Sequence, residues 1–294
     1  MYKETNKSET NLDHKRIFMN DSIASAHPRV QKVVTRFEEN DGQQEEISIA
    51  YWVQGKGALI IMLPSLGRDV EDFELVAARL ADAGYRVACP SPRGIGASTG
   101  RMDGLTLHDF GRDIVSVIEA EGGGPAFIAG HAFGNWTARV VAVDRPDLVR
   151  AVMILAAGPK VVAPGPGAGL PHCMDRSLDP AVRLGWIKKV FFAEASDASV
   201  WLDGWHPEVA NAQRAAKAAT PIDSWWGAGN ARILDVRALE DAFAPKEAGW
   251  QLSQDLGAQR VTTVTIADAG HALLPEQPIA VAEAMKAYLR SFAD

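Results

Sequence analysis

The chain has 294 residues, of which 47% are apolar and 23% are charged, an ordinary composition for a folded protein with a large core. Its formal net charge is -7 and no block rich in lysine and arginine occurs, which argues against nucleic acid or an anionic membrane as a partner. No window holds the roughly 18 consecutive apolar residues that a membrane-spanning helix needs.

The N-terminal segment and the cysteines indicate where in the cell the protein is expected. Residues 1–28 predict a polar N-terminal arm, because the A-x-A-like triplet at 24–26 follows no apolar segment of the kind a signal peptide has. The two cysteines, Cys89 and Cys173, form neither a disulfide framework nor a zinc-binding spacing. We therefore expect a reducing, cytoplasmic location and no metal site.

The first half of the chain predicts a hairpin followed by alternating strands and helices. Residues 30–57 alternate between apolar and polar and turn at Asn40-Asp41-Gly42. Next come a strand at 58–64, a helix at 71–85, a strand at 86–92, a helix at 106–124 and a strand at 125–130. The strands are continuous apolar runs, which is typical of strands covered on both faces.

The second half continues this alternation after one interruption. A strand at 150–158 ends at Pro159, and the resumed order is a strand at 231–239, a helix at 246–257, a strand at 259–268 and a helix at 278–294. Such alternation predicts an α/β fold with a doubly wound, mostly parallel sheet. Residues 29–158 and 231–294 would form its core. The helical stretch between them, 159–230, predicts an inserted lid.

The most informative motif follows the strand at 125–130. Residues 130–134 read Gly-His-Ala-Phe-Gly, and a helix-compatible segment follows at once. This is the strand, tight turn and helix of a G-x-S-x-G nucleophile elbow, with Ala132 in the place of the serine. The small residues Gly130 and Gly134 are the ones that such a sharp turn requires.

With the elbow, the insertion and the strand order, the chain resembles the α/β-hydrolase fold family from about residue 30 to the end. Four further segments carry the resemblance: "MLPSLG" at 62–67, "PSPRGIGAST" at 90–99, "LEDAFAP" at 239–245 and "IADAGHALLPEQP" at 266–278. The chain departs from the family pattern at Pro64-Ser65, where His-Gly is commonest, and at Ser91, where aspartate is usual.

The resemblance implies a catalytic triad in the family order of nucleophile, acid and histidine. Ala132 stands at the nucleophile position, Asp241 is the acid and His271 is the general base. Glu240 is the rival for the acid role, and the proline four residues after Asp241 favours Asp241.

The resemblance also implies an oxyanion hole formed by backbone N–H groups of Leu66 and Phe133. Ser65 is the alternative nucleophile, but the family geometry turns it away from the site. His131 is interpreted as a packing residue. No cofactor is implied, and the expected partner is a small-molecule substrate, while the sequence does not indicate an oligomeric state.

The inserted segment is rich in aromatic residues. Five of the eight tryptophans lie in it and are the candidate substrate-binding residues: Trp186, Trp201, Trp205, Trp225 and Trp226. Packing between lid helices is the alternative for most of them. Because ligand cavities are mostly apolar and aromatic, we expect a bulky apolar or aromatic ester or lactone as substrate.

Alanine at position 132 leaves three interpretations open. In the first, the chain is a serine hydrolase whose serine has been replaced by alanine, which cannot form an acyl-enzyme. Alternatively, the alanine is native and the His271–Asp241 pair activates a water or moves a proton, as in a lyase, an isomerase or a cofactor-free oxygenase. The third interpretation is a non-catalytic binding protein, against which the retained Asp–His pair argues.

Overall fold

A computed structural model describes residues 27–40, 42–160, 165–245 and 250–292. Several predicted features lie wholly or partly outside the described residues: the predicted arm up to residue 26, Asp41 of the predicted turn, 161–164, 246–249 and 293–294.

Eight strands form one sheet: β1 (Val30–Asn40), β2 (Gln43–Gly55), β3 (Leu59–Leu63), β4 (Arg86–Pro90), β5 (Ala126–His131), β6 (Val149–Leu155), β7 (Arg232–Ala238) and β8 (Val261–Ile266). Nine α-helices lie within the described ranges: α1 (Glu74–Asp82), α2 (Leu107–Ala120), α3 (Phe133–Asp144), α4 (Leu170–Met174), α5 (Pro180–Phe191), α6 (Pro207–Ala219), α7 (Gln251–Leu256), α8 (Leu273–Glu276) and α9 (Pro278–Arg290).

The order of strands across the sheet is β1-β2-β4-β3-β5-β6-β7-β8. β1 and β2 form the predicted antiparallel hairpin, β2 is antiparallel to β4, and the remaining neighbours are parallel. The prediction of an α/β fold with a mostly parallel sheet is confirmed. Parallel strands end at the same edge, so the loops after β3, β5, β7 and β8 meet there.

Strand β3 illustrates how helices cover both faces of the sheet. All five of its residues are buried, and successive side chains enter different apolar clusters. Ile61 packs into a cluster on one face with residues of α2 and α3. Ile60 and Met62 pack into a second cluster with residues of α1 and α9. Because side chains alternate along a strand, a continuous apolar run is required when helices cover both faces.

Helix boundaries differ from the predicted ones. The segment predicted as a helix from 71 to 85 begins with a 3-10 turn, Val70–Phe73, before α1, and Gly84 then takes a positive φ of 90°. The helix predicted for 246–257 is α7, which spans Gln251–Leu256 within the described part of the chain. Among the described helices, none has the length and apolarity needed to cross a membrane.

The segment between β6 and β7 contains α4, α5 and α6. Its buried side chains form a third apolar cluster, which includes Phe191, Trp201 and Trp205. This cluster also contains Ala272 and contacts Leu66, both of which belong to loops at the carboxyl edge of the sheet. The inserted helices therefore pack on the edge where the motif residues meet. Their action as a lid stays a prediction.

Candidate active site

The turn between β5 and α3 has the backbone of a nucleophile elbow. Ala132 has a φ of 46° and a ψ of -109°, which non-glycine residues rarely adopt, and it precedes the first residue of α3. Its N–H donates to the carbonyl of Leu155 on the neighbouring strand at 3.0 Å. The turn therefore projects the side chain at position 132 from the end of β5.

The glycines on either side permit this turn through close backbone contacts. A Cβ atom at Gly130 would lie 2.3 Å from the carbonyl carbon and oxygen of Gly134. A Cβ atom at Gly134 would lie 2.3 Å from the carbonyl oxygen of Leu63, at the end of β3. Both contacts are far shorter than van der Waals separation, so the turn requires glycine at both positions.

The structure brings Asp241 and His271 into contact. Nδ1 of His271 lies 3.0 Å from both carboxylate oxygens of Asp241, and both residues are buried. A carboxylate can only accept, so Nδ1 of His271 carries the proton and donates. In the neutral ring, Nε2 then has a free lone pair, which is the form that a general base needs.

Backbone groups hold the carboxylate of Asp241 in place. Its Oδ1 accepts hydrogen bonds from the N–H groups of Phe243 at 2.8 Å and Ala244 at 3.3 Å. The rival residue Glu240 is exposed, and its carboxylate accepts from the N–H of Glu194 at 3.3 Å. Of the two acidic candidates, the contact with His271 belongs to Asp241.

His131 supports the loop that carries His271. Its ring is fully buried, and its Nε2 donates to the carbonyl oxygen of His271 at 2.8 Å. Burial, with a smaller contribution from the neighbouring His271 ring, lowers the pKa of His131 from 6.5 to about 4. His131 is therefore neutral near pH 7, and it contributes a specific hydrogen bond in addition to packing.

The loop before α8 is held from its other side by Glu276. The two oxygens of this carboxylate accept from the N–H of Gly270 at 2.8 Å and from the N–H of Ala193 at 2.7 Å. Gly270 precedes His271, and Ala193 belongs to the inserted segment. One side chain thus connects the histidine loop to the insertion.

The two amides predicted to form an oxyanion hole are those of Leu66 and Phe133. In the part of the chain that the structure describes, neither N–H donates to a protein acceptor. Phe133 is the first residue of α3, where unpaired N–H groups and the helix dipole favour negative charge. Ser65 is buried next to Leu66, and its carbonyl accepts from the N–H of Arg68 at 3.1 Å.

A small cavity of about 30 Å3 lies beside the elbow. Its wall includes Phe133 and Gly134 of the elbow and Pro64 of the loop after β3. Most of the remaining wall is apolar, with polar contributions from Ser91, Asp113, Thr137 and Gln213. Ala132 and His271 are largely buried and are outside this wall, so the cavity adjoins the candidate catalytic residues without including them.

The five tryptophans of the insertion separate into three groups. Trp201 and Trp205 are buried together, and Trp201 lies 6.2 Å from the ring of His131. Trp186 stacks on His172 at 4.6 Å. Trp225 and Trp226 belong to the core, near the guanidinium of Arg139.

None of these five described tryptophans lines the cavity beside the elbow. Trp201 and Trp205 pack near His131 and Phe191, whereas Trp225 and Trp226 belong to the same apolar cluster as Ile61. A substrate-binding role for the five therefore stays a prediction, and packing accounts for their observed contacts.

Gln213 was not singled out by the sequence. It lies on α6, is almost fully buried, and accepts from the N–H of Gly67 at 2.8 Å. The two residues are 146 positions apart. The only available signal was a polar residue on the apolar side of a helix, and that pattern does not identify its partner.

Comparison with known proteins agrees with this architecture. The sequence profile described as "Alpha/beta hydrolase family" matches residues 60–284. The chain therefore belongs to the alpha/beta hydrolase family.

Individual relatives are distant. The protein named "Putative carbamate hydrolase RutD" from Variovorax paradoxus (strain S110) is 26% identical, over 74% of this chain and 85% of its own length. A thermophilic esterase from Thermogutta terrifontis is similar in structure, with a TM-score of 0.71 and 20% identity over 90% of this chain and 98% of its own.

Est816, described as an N-acyl homoserine lactone degrading enzyme, has a TM-score of 0.67 and 20% identity over 86% of this chain and all of its own. At these identities, the two structural similarities support the fold.

Proposed function

We propose that this protein has the catalytic framework of a serine hydrolase acting on carboxylic esters or lactones, with position 132 as the nucleophile position. The contact between Asp241 and His271 carries the proposal, because both carboxylate oxygens lie 3.0 Å from Nδ1 of the imidazole. A binding protein has no need to fix the tautomer of a buried histidine.

With serine at position 132, the steps follow from the residues around it. Nε2 of His271 would take the hydroxyl proton as the serine oxygen bonds to the substrate carbonyl carbon, while Asp241 stabilises the imidazolium. The N–H groups of Leu66 and Phe133 would stabilise the oxyanion. His271 would then give the proton to the departing alcohol, and water would release the acid by the same path.

The present chain, with Ala132, cannot form this acyl-enzyme. The unusual backbone conformation is nevertheless present at Ala132, at a φ of 46°. A strained conformation costs of order 1–3 kcal/mol and usually persists where function needs it. This supports the interpretation that alanine replaces a serine.

A second candidate is a native alanine with a water in the space of the serine oxygen. The departures at Pro64, Ser65 and Ser91 support it, since they mark this chain as divergent from the common family pattern. His271 would then activate that water directly or move a proton in a lyase, isomerase or cofactor-free oxygenase.

For the substrate, we propose a bulky apolar or aromatic acyl group, with α4, α5 and α6 acting as a lid. The mostly apolar wall of the small cavity beside Phe133 supports the apolar character of this group, and the aromatic residues of the insertion support its bulk. Both cysteines are free and buried, which supports a reducing compartment such as the cytoplasm.

The test is the substitution Ala132→Ser, assayed on a panel of aromatic esters and lactones. We expect turnover to rise by about three orders of magnitude or more, since loss of a triad nucleophile costs that much in related sites. A fluorophosphonate probe should label the new serine, while the parent chain should remain unlabelled. The double variant Ala132→Ser, His271→Ala is the matched control and should be inactive.

Other outcomes separate the candidates. A folded Ala132→Ser variant that neither labels nor hydrolyses any ester would contradict the serine-hydrolase proposal. Turnover by the parent chain that the serine slows would support the native water mechanism, because the hydroxyl would displace the water.

A further inference from the structure

The loop that carries Leu66 is attached to the insertion through the next residue, Gly67. The N–H of Gly67 donates to Oε1 of Gln213 at 2.8 Å, and its carbonyl accepts from the N–H of His206 at 2.9 Å. A Cβ atom at Gly67 would lie 2.7 Å from Cβ of Ala210 on α6. The N–H and the carbonyl of Gly67 are therefore both hydrogen-bonded to the insertion, the N–H to Gln213 on α6 and the carbonyl to His206 just before α6.

The following residue, Arg68, is held by the insertion as well. Its Nη1 donates to the carbonyl of Asp203, and its guanidinium lies over the rings of Trp201 at 4.7 Å and Trp205 at 5.0 Å. Arg68 also pairs with Asp72 of the core at 2.7 Å, so two consecutive residues after Leu66 contact the insertion and the second of them links it to the core.

The contact with Gly67 fixes which way the Gln213 amide points. An N–H group requires an acceptor, so the atom of Gln213 facing Gly67 is the oxygen. The amide nitrogen must then point away from Gly67. Gln213 is only 1% exposed and is part of the wall of the cavity beside the elbow.

We propose that Gln213 is a positioning residue: its side-chain oxygen fixes the loop that carries Leu66, whose N–H group would stabilise the oxyanion. This inference rests on the proposed function, since it takes the N–H of Leu66 as part of the oxyanion hole. Loss of the acceptor would leave the N–H of Gly67 without its partner, and an unpaired buried N–H group is costly.

The positioning role is tested by hydrogen exchange in the present chain, without any turnover. Gln213→Met removes both hydrogen-bonding groups at similar volume, and Gln213→Glu keeps an acceptor for Gly67. We expect exchange of the Gly67 amide to rise about tenfold in Gln213→Met and to stay within about twofold of the parent in Gln213→Glu.

The matched control is Gln54→Met. Gln54 is a buried glutamine on β2 whose Nε2 has no partner, so this substitution should leave exchange at Gly67 unchanged. Unchanged exchange at Gly67 in Gln213→Met would overturn the positioning role.

Failure of Ala132→Ser to hydrolyse esters would instead contradict the proposed function, and the exchange result would stand.

Discussion

Single residues at the elbow determine how closely the strands and the helix approach one another. Gly134 of α3 faces the carbonyl of Leu63 at the end of β3, and a Cβ atom there would lie 2.3 Å from that oxygen. The space is closed by backbone atoms, which cannot rotate away as a side chain can. The glycine is therefore required by packing, whatever residue occupies position 132.

Gly134→Ala should therefore destabilise the protein. We expect a loss of about 3 kcal/mol, typical of overpacking, and a fall of about 6–12 °C in the melting temperature. Gly185→Ala is the control, because Gly185 is exposed on α5 with no atom within 4 Å of the added Cβ. It should be neutral or stabilise by up to about 1 kcal/mol. Equal melting temperatures for the two variants would contradict the conclusion that packing requires glycine at position 134.

The neutral state of His131 predicts a pH dependence of stability. Its pKa is lowered from 6.5 to about 4, so between these values the unfolded chain binds more protons than the folded one. The free energy of unfolding contributed by His131 is therefore complete above pH 6.5 and is lost as the pH falls toward 4. The lowered pKa of His131 corresponds to about 3 kcal/mol in the free energy of unfolding.

His131→Gln keeps an amide N–H for the carbonyl of His271 and cannot titrate. Between pH 7 and pH 4, its free energy of unfolding should fall by about 3 kcal/mol less than that of the parent. Urea titrations at several pH values measure this difference. Burial raises the pKa of Asp235 to about 6, an effect of opposite sign, but it is common to both proteins and cancels. Parallel pH profiles would show that His131 does not titrate as described.

The pairing of Asp241 with His271 could be predicted from the sequence, because each lies in a short motif that follows a strand and resembles the family pattern. The role of His131 could not. A histidine inside an apolar strand is compatible with packing alone, and its acceptor is a carbonyl 140 positions away. Local patterns identify the element on which a residue lies but not its partner across the fold.

Between elements, the insertion and the histidine loop are connected through α8. Glu276 accepts from the N–H of Ala193 and from the N–H of Gly270, and its carboxylate is partly desolvated, which raises its pKa. Glu276→Ala should leave two amides without partners and cost about 2–4 kcal/mol. Thermal unfolding measures this loss.

Glu283→Ala is the matched control for Glu276→Ala. Glu283 is exposed on α9 and pairs with Lys286 within the same helix, a type of contact that contributes little to stability. The control should change the free energy of unfolding by no more than about 0.5 kcal/mol. An equally small change in Glu276→Ala would show that the connection does not stabilise the loop.

The order and type of the core elements followed from the sequence, whereas the organisation of the insertion did not. Strands such as β3 are continuous apolar runs, and that signal is strong because both faces of the sheet are covered. The insertion was predicted only as helical. Its contacts with Gly67, Arg68 and Gly270 depend on its placement on the sheet edge, which no periodicity within the segment encodes.

Across the whole molecule, the insertion and the sheet share one continuous interior. The apolar cluster of the insertion includes Ala272 and contacts Leu66, so it is completed by loops of the core. Five of the eight tryptophans lie at 186–226, so tryptophan fluorescence reports mainly on this region, whereas far-ultraviolet circular dichroism reports on all helices and strands.

We therefore expect the two signals to change together on unfolding in urea, with one midpoint and one slope. Trp201→Phe should move both midpoints to lower urea by the same amount, since Trp201 donates to Asp72 of the core at 3.1 Å. A fluorescence transition that precedes the circular dichroism transition would show that the insertion unfolds on its own.

The elbow has a consequence for engineering. The hydrogen bonds that hold the turn, the aspartate and the histidine come from backbone groups and from the side chains of His131, Asn135 and Glu276, and none uses the side chain at position 132. The scaffold is thus assembled independently of the residue that it presents. Serine, cysteine or aspartate at this one position would place different chemical groups before the same imidazole, whereas the methyl group of Ala132 cannot form a covalent bond to a substrate.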